Sequence, residues 1–425
     1  MARLSIIIVT YNSREEIDDA LRALRQPRPQ IDHEIIVVDN ASTDGTATHL
    51  RATWPSVRAI DAGGNIGFAA ANNLGVRETS SELVLLLNPD TRAHGSVSAT
   101  IERHRVRTSF LQHLPLAKTH YRRYLPLYPF AIERFDLDAY DFVVSSSHCA
   151  AKAVIPAGRA RHLCYCHSPM RYGWDQFEAY FGPARVGRIA SRWFYRPLLA
   201  SLARWDASTA GRVHRFVANS QHVAARIRRY YNRQATIVYP PVDTVFFHPA
   251  ASPRARHFLI VSAFVPYKRI DIALEACRRL AAPLRIVGDG PDRARLERMA
   301  GPDVQFLGRL SDEQVRDEYR RALAVILPGE EDFGIVPVEA QACGCPVVAF
   351  GRGGALETVI DQDTGILFPE LTAESLAAAL ERAAAATFDP DRLQRQAEQF
   401  SKARHVDGMK TVIGEMTAAP AGARW

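Results

Sequence analysis

The stretch GEEDFGIVPVEAQACGCPVVAFGRGGALETV, residues 329–359, contains the most informative pattern in this chain of 425 residues. Glu331 and Glu339 flank a transition from a glycine-containing loop to a helix-like run. A helix that begins near Gly334 or Ile335 points its free N–H groups and its positive dipole end at the preceding loop. This arrangement suits a diphosphate, with Glu339 placed to accept hydrogen bonds from ribose hydroxyls and Glu331 free to hold a sugar.

An alternative explanation for such a glutamate pair is helix capping and surface charge. The glycines of the stretch favour a binding site, because they allow backbone to approach a ligand on both sides of one helix. These glycines are Gly329, Gly334, Gly344, Gly351, Gly353 and Gly354.

Two clusters upstream fall on the same predicted sheet edge. Lys268 and Arg269 follow the run HFLIVSA, at the carboxyl end of a strand, where ligands of open α/β sheets bind. Gly288 lies in the strand-to-loop sequence VGDGP. A solvated lysine at a helix start is the alternative, but lysine is scarce in this chain, where it occurs only at Lys118, Lys152, Lys268, Lys402 and Lys410.

Alternating strand-like and helix-like runs divide the chain into α/β blocks. We expect a first block over residues 1–98, a second over 99–247, a third over 248–395, and a C-terminal helix with a frayed tail over 396–425. The strands LSIIIVT, EIIVVDN and LVLLLN are continuously apolar, which predicts a parallel sheet covered on both faces. The proline-rich run YPPVDTVFFHP indicates a linker before the third block.

Composition restricts the class of protein. The six cysteines show no zinc-type C-x-x-C spacing, which favours reduced thiols in a cytoplasmic protein. The apolar run of the opening MARLSIIIVTY is too short for a signal peptide, so we interpret it as a strand. A net charge of +7 indicates either a solvated basic surface or an anionic partner. No nucleic-acid-binding motif accompanies the charge, whereas the basic, aromatic residues 188–205 predict peripheral contact with the inner face of an anionic membrane.

Residues 105–410 contain the motifs SSSHCAAKAVIP, CYCHSPMRY, ANSQHVAARI, PYKRID, GDGP, FLGRL, PGEEDFGIVPVEA and GRGGALETV. In these motifs the chain resembles the retaining GT-B glycosyltransferases of family four, and in particular the mannosyltransferases of surface-polysaccharide biosynthesis. It implies a pair of Rossmann-type domains and a nucleotide-sugar donor, with GDP-mannose indicated by the mannosyltransferase likeness. It further implies a glycan or lipid-linked acceptor and no cofactor at the GT-B site.

The same resemblance assigns roles to individual residues. Glu331 would bind the donor sugar near its reacting face, and His148, after DFVVSSS, would face the donor from the preceding domain. Lys268 would neutralise the diphosphate, a role often shared with an arginine that this chain replaces by Ala263. The donor-binding residues implied are Lys268, Arg269, Gly288, Phe333, Gly334, Ile335, Val336 and Glu339. In such enzymes the leaving diphosphate deprotonates the acceptor on the face from which it departs, so configuration is retained.

Residues 1–98 contain the motifs SIIIVTYNSREEIDDAL, EIIVVDNASTDGT, GGNIGFAAANNLGVR and LVLLLNPDT. In these motifs the segment resembles the nucleotide-binding half of family-two GT-A glycosyltransferases, in the rhamnosyltransferase-like branch. They imply a nucleotide site formed by Thr10, Tyr11, Asn12, Asp39 and Asn65. Asp90 would ligate Mg²⁺ or Mn²⁺ as the remaining carboxylate of a D-x-D pattern that has Asn88 in first place.

The two resemblances are each incomplete, since no general base of family two follows Asp90 and the opening of a GT-B domain is absent before residue 105. The predicted fold is therefore a GT-B-like pair of Rossmann-type domains with a truncated GT-A-like N-terminal α/β segment, whose nucleotide site would be vestigial. The leading function is a retaining hexosyltransferase. The alternatives are a catalytically impaired nucleotide-sugar-binding or scaffold protein from a gene fusion, and inverting transfer by the N-terminal segment. The first strands either complete the GT-B sheet or form a separate lobe, and their mutual pairing favours the lobe.

Overall fold

The computed structural model describes most of the chain as two compact units, Met1–Arg107 and Thr108–Trp425. The described residues are 4–24, 32–64, 71, 74–75, 77–81, 83–87, 109–114, 121–250, 255–420 and 423. Within this part of the chain, no helix combines the length and apolar character that crossing a membrane requires.

The first unit contains a sheet of four parallel strands in the order β3-β2-β1-β4. The strands are β1 (Leu4–Thr10), β2 (His33–Asp39), β3 (Arg58–Asp61) and β4 (Leu83–Leu87). Helix α1 (Arg14–Ala23) follows β1, and helix α2 (Thr46–Thr53) follows β2. On β1, Ile6 and Ile8 pack in one cluster and Ile7 and Val9 in another, so the strand is buried on both faces, as its apolar run predicted. These strands therefore form a sheet of their own.

The second unit begins with a four-stranded parallel sheet in the order β5-β6-β7-β8. Its strands are β5 (Phe142–Ser147), β6 (Arg161–Cys166), β7 (Arg215–Ala218) and β8 (Ala235–Ile237). The helices around it are α3 (Tyr128–Glu133), α4 (Arg171–Trp174), α5 (Phe177–Phe181), α6 (Pro183–Val186), α7 (Arg196–Thr209) and α8 (Gln221–Tyr231). Shorter turns are the 3-10 segments Phe110–His113, Tyr121–Leu127, Ala151–Ala153 and Ala210–Arg212 and the π-helical segment Ala190–Tyr195.

A second sheet of six parallel strands follows in the order β11-β10-β9-β12-β13-β14. The strands are β9 (Phe258–Val261), β10 (Leu284–Val287), β11 (Val304–Gly308), β12 (Ala324–Leu327), β13 (Val347–Phe350) and β14 (Gly365–Phe368). The helices are α9 (Ile270–Leu280), α10 (Arg293–Met299), α11 (Asp312–Arg321), α12 (Ile335–Ala342), α13 (Ala355–Thr358), α14 (Ala373–Ala385) and α15 (Pro390–Ala397). The 3-10 segments are Pro266–Lys268 and Glu398–Phe400. Strand order reverses between β9 and β12, and open α/β sheets bind ligands at such a reversal.

The last helix, α16 (Lys402–Ala418), returns to the β5–β8 sheet. Its residues Val412 and Met416 are buried against Leu163, Tyr165 and Val217 of that sheet. The C-terminal helix therefore covers a face of the first sheet of the unit, although it follows the second sheet in the chain.

Candidate active site

Lys268 and Glu331 meet at the reversal of strand order. Lys268 ends the 3-10 segment after β9, and Glu331 lies on the loop after β12. The ammonium of Lys268 donates a hydrogen bond to Oε1 of Glu331, and both side chains are largely buried. The sequence indicated each residue separately, and the structure places the two in one ion pair.

The N-terminus of α12 lies beside this ion pair. Gly334 is the N-cap residue with φ 88°, and no side chain caps the helix, which begins at Ile335 as predicted. Its first N–H groups therefore lack the side-chain acceptor that commonly satisfies them. A cavity of about 660 Å³ lies at this point. It is lined by six of the predicted site residues, namely Lys268, Glu331, Phe333, Gly334, Ile335 and Val336.

Two glycines shape the site through backbone packing. A Cβ at Gly354 would lie 2.4 Å from Cα of Phe333, and the N–H of Gly354 donates to the carbonyl of Glu331 at 2.8 Å. Gly288 has φ +127°, and a Cβ there would lie 1.9 Å from the carbonyl oxygen of Ser262. The structure thus gives both glycines a role in holding the loops that carry the site.

Glu339 and Arg269 are engaged with neighbours within the β9–β14 domain. Burial raises the pKa of Glu339 to about 7, although Tyr319 donates a hydrogen bond to its Oε2 at 2.9 Å. Arg269 pairs with Asp271, with Nε 3.1 Å from Oδ1, at the start of α9. Neither side chain lines the 660 Å³ cavity. The ribose role of Glu339 and the phosphate role of Arg269 stay predictions.

The β5–β8 side of the cavity contributes residues that sequence reasoning missed. Ser146, His167, Arg171 and Asn219 line it. His167 follows β6, and its Nε2 lies 2.8 Å from Oγ of Ser146. The available signal was a histidine directly after a strand, with an arginine four residues later at the start of a helix, in the motif CYCHSPMRY.

His148 lies directly after β5, where the sequence placed it. It lines a neighbouring cavity of about 510 Å³, and Ser146 lines both cavities. Desolvation and the nearby Arg171 guanidinium lower the pKa of His148, so the imidazole is neutral at pH 7. A neutral ring can both donate and accept a hydrogen bond.

In the first unit, the predicted nucleotide residues cluster at the carboxyl edge of β1 and β2. Oγ1 of Thr10 donates to Oδ1 of Asp39 at 3.0 Å, and the N–H of Ser42 donates to Oδ2 at 3.1 Å. Tyr11 is exposed beside them, and Oδ1 of Asn12 accepts from the N–H of Thr43 at 2.8 Å. Four of the five predicted residues are therefore brought together.

Asn65 and Asp90 lie outside the described residues. The fifth nucleotide contact and the Mg²⁺ or Mn²⁺ ligand thus stay predictions.

Three family models match the chain in succession. Residues 5–103 match Glycosyl transferase family 2, residues 84–246 match Glycosyltransferase Family 4, and residues 243–400 match Glycosyl transferases group 1. These matches confirm the resemblance of the two parts of the chain to different classes of glycosyltransferase.

Relatives align with part of the chain. A D-inositol 3-phosphate glycosyltransferase of Salinispora arenicola is 32% identical over 248 residues, which cover 48% of this chain and 55% of that protein. A protein of the same name from Rhodococcus erythropolis is 33% identical over 236 residues, covering 46% of this chain and 52% of that protein. The chain thus spans about half the length of the curated relatives it matches.

Solved structures share the fold. Sucrose-phosphate synthase from Thermosynechococcus elongatus has a TM-score of 0.54 and 18% identity, covering 98% of this chain and 100% of that chain. Anabaena HepE in complex with UDP has a TM-score of 0.51 and 16% identity, with 98% and 100% covered. The predicted α/β, GT-B-like class is confirmed. The chain contains a segment that matches the family-two glycosyltransferase model, followed by segments that match the Family 4 and group 1 models.

Proposed function

We propose that the chain is a retaining hexosyltransferase that uses a nucleotide sugar and acts on a glycan or lipid-linked acceptor in surface-polysaccharide biosynthesis. The observation that carries the proposal is the Lys268–Glu331 ion pair beside the uncapped N-terminus of α12, on one cavity. A cation and a helix N-terminus both stabilise a diphosphate. A carboxylate next to them is suited to the hydroxyls of the attached sugar.

The proposed mechanism relies on charge stabilisation and orientation. Lys268 and the N–H groups of Ile335 and Val336 stabilise the negative charge that develops on the leaving diphosphate. The bond between the anomeric carbon and the diphosphate oxygen breaks, and that oxygen takes the proton of the acceptor hydroxyl. The acceptor oxygen bonds to the anomeric carbon on the same face, which retains the anomeric configuration. Glu331 orients the sugar, and the neutral His148 hydrogen-bonds to a substrate hydroxyl from the β5–β8 side. The proposal assigns no metal to this site.

GDP-mannose is the proposed donor, on the basis of the mannosyltransferase resemblance. HepE was solved with UDP, so UDP-hexoses are the competitors to include. The first experiment incubates the purified full chain with a panel of GDP- and UDP-hexoses and measures both nucleotide release and sugar transfer. Turnover with one donor and an anomerically retained product supports the proposal.

Matched variants then test the site. Glu331→Gln is expected to lower turnover about 100-fold or more, the usual cost of losing a transition-state contact, while bare nucleotide still binds. Glu330→Gln, at the exposed neighbouring position, is the control. Lys268→Ala is expected to weaken binding of the bare nucleoside diphosphate, whereas the exposed Lys410→Ala does not.

Other outcomes favour the alternatives. Binding of nucleotide sugars without turnover across the panel contradicts the transferase and supports the scaffold function. Manganese-dependent nucleotide binding that survives Lys268→Ala but not Asp90→Ala would support activity of the N-terminal segment.

The peripheral membrane contact is a further proposal, supported by an exposed apolar and basic surface at the π-helical segment. Ile189, Trp193 and Phe194 are 80%, 73% and 60% exposed, and Arg188 and Arg192 are exposed beside them. Aromatic and basic side chains together match an anionic bilayer. Co-sedimentation with phosphatidylglycerol vesicles, but not with phosphatidylcholine vesicles, is expected. Trp193→Ser with Phe194→Ser should abolish it, while Phe130→Ser, also exposed, should not.

A further inference from the structure

Asp332 connects the Glu331 loop to the β5–β8 side of the unit. Its Oδ1 lies 2.6 Å from Nη1 of Arg226 on α8, and its Oδ2 pairs with Arg171 on α4. The side chains of Asp332 and Arg226 are only 9% and 11% exposed. One buried carboxylate is thus shared by two arginines from the other sheet's helices.

Neighbouring hydrogen bonds reinforce this connection. Oγ of Ser220, the N-cap residue of α8, donates to the carbonyl oxygen of Asp332 at 2.5 Å. Nη1 of Arg226 also donates to Oγ of Ser168 at 2.9 Å. The Glu331 loop is therefore bound through both its backbone and a side chain.

A second carboxylate from the β9–β14 domain binds the same end of α8. Glu357 on α13 accepts from the backbone N–H of Gln221 at 2.8 Å and of His222 at 3.0 Å. The backbone N–H of Gly354, at the start of α13, donates a hydrogen bond to the carbonyl oxygen of Glu331 at 2.8 Å. The loop of Glu331 is thus fixed on two sides.

We propose that Arg226 is a positioning residue of the transferase, which acts through Asp332 to hold the loop of Glu331 in its working position. This inference rests on the proposed function, because it gives Glu331 the role of orienting the sugar. Arg226 does not line the 660 Å³ cavity, so its effect reaches the substrate through Asp332. The salt bridge is mostly buried, which makes its loss more consequential than that of an exposed pair.

A double-mutant cycle on turnover tests the coupling. Arg226→Gln and Asp332→Asn are each expected to lower kcat about 10- to 100-fold by misplacing Glu331, with the affinity for bare nucleoside diphosphate nearly unchanged. The double variant should lose less than the product of the two single losses, because both changes remove the Arg226–Asp332 pair. Asp332→Asn additionally weakens the pair with Arg171, and Arg226→Gln the pair with Asp175. Arg226→Lys keeps the charge and should recover part of the rate. Arg228→Gln, exposed on the same helix, is the control and should leave kcat unchanged.

Hydrogen exchange of the ligand-free protein provides a readout that does not need turnover. Arg226→Gln and Asp332→Asn should each increase exchange in a peptide covering residues 329–336, while the core strand β12 keeps its protection. Unchanged exchange in that peptide would overturn the inference. So would a loss of kcat in the double variant that equals the product of the two single-variant losses. Increased exchange in a protein that turns over no donor would instead refute the proposed function and leave the positioning contact in place.

Discussion

Glu331 and Glu339 belong to one motif but lie in different surroundings. Glu331 is paired with Lys268, whereas Glu339 is mostly buried and accepts a hydrogen bond from the hydroxyl of Tyr319. Burial consequently raises the pKa of Glu339 from its ordinary 4.5 to about 7. At neutral pH the Glu339 carboxyl is present in both protonation states, a difference from Glu331 that the motif alone does not reveal.

Glu339 should make stability depend on pH. Because its folded-state pKa is raised from 4.5 to about 7, the folded protein holds this proton more tightly than the unfolded chain does. The resulting stabilisation is complete below pH 4.5 and is lost as pH rises through 7. Glu339→Gln should remove this loss. The free energy of unfolding of the variant, relative to that of the wild type, should therefore rise by on the order of 3 kcal/mol between pH 4.5 and 8. Urea unfolding across that range measures the difference. Glu330→Gln is the control, and a wild-type-to-variant difference that is constant with pH would contradict the prediction.

At the scale of elements, a buried ion pair anchors the 3-10 segment Ala151–Ala153 to α7. Nζ of Lys152 lies 3.0 Å from Oδ1 of Asp206, and both side chains are fully buried. Oδ2 of Asp206 also accepts from Nε1 of Trp174 and from the hydroxyl of Tyr231, each at 2.8 Å. The segment that follows His148 is therefore held by a polar cluster connecting α4, α7 and α8.

Removing one partner of this pair should be costly. Lys152→Met leaves the Asp206 carboxylate buried without its cation, which we expect to lower the free energy of unfolding by about 3–5 kcal/mol. Lys152→Met combined with Asp206→Leu should recover part of that loss, because no unpaired charge remains. Chemical denaturation followed by circular dichroism measures both. Lys410→Met, at an exposed position, should change stability by less than about 0.5 kcal/mol, and an equal effect at both lysines would contradict the prediction.

At the scale of the whole molecule, the second unit is closed by contacts between distant parts of the chain. Lys402 at the start of α16 pairs with Asp243, with Nζ 2.5 Å from Oδ2. Nη1 of Arg215 on β7 lies 2.6 Å from Oε2 of Glu415. Together with the burial of Val412 and Met416, these pairs hold α16 against the β5–β8 sheet, which carries Ser146 and His148 at its edge.

A substitution at Met416 tests whether α16 contributes to the core beside the β5–β8 sheet. Its side chain is 0% exposed against the β5–β8 sheet, whereas Met299 on α10 is 44% exposed. Met416→Ala should lower the free energy of unfolding by about 2–4 kcal/mol through lost burial and the cavity left behind. Met299→Ala should cost less than about 1 kcal/mol. Urea unfolding of both variants measures the difference, and comparable losses would show that α16 contributes little to the core.

The sequence by itself determined the local structure and the class of site. Continuous apolar runs predicted β1, β2 and β4, because a parallel strand covered on both faces needs no polar alternation. The glycine before Ile335 predicted the start of α12, since φ 88° at Gly334 is readily adopted by glycine. Lys268 was predicted from its position at a strand end, Glu331 from the glycine-containing loop before a helix, and His148 from the family resemblance.

The tertiary structure decided which of these residues meet and which others join them. Three features depend on partners that lie far apart in the chain. They are the Lys268–Glu331 ion pair, the sharing of Asp332 by Arg171 and Arg226, and the packing of α16 on the β5–β8 sheet. Spacing within a sequence specifies which face of a strand or helix is apolar. Spacing does not specify an ion-pair partner more than 60 residues away. Which charged residues pair depends on how the completed sheets pack and on which carboxylates that packing buries.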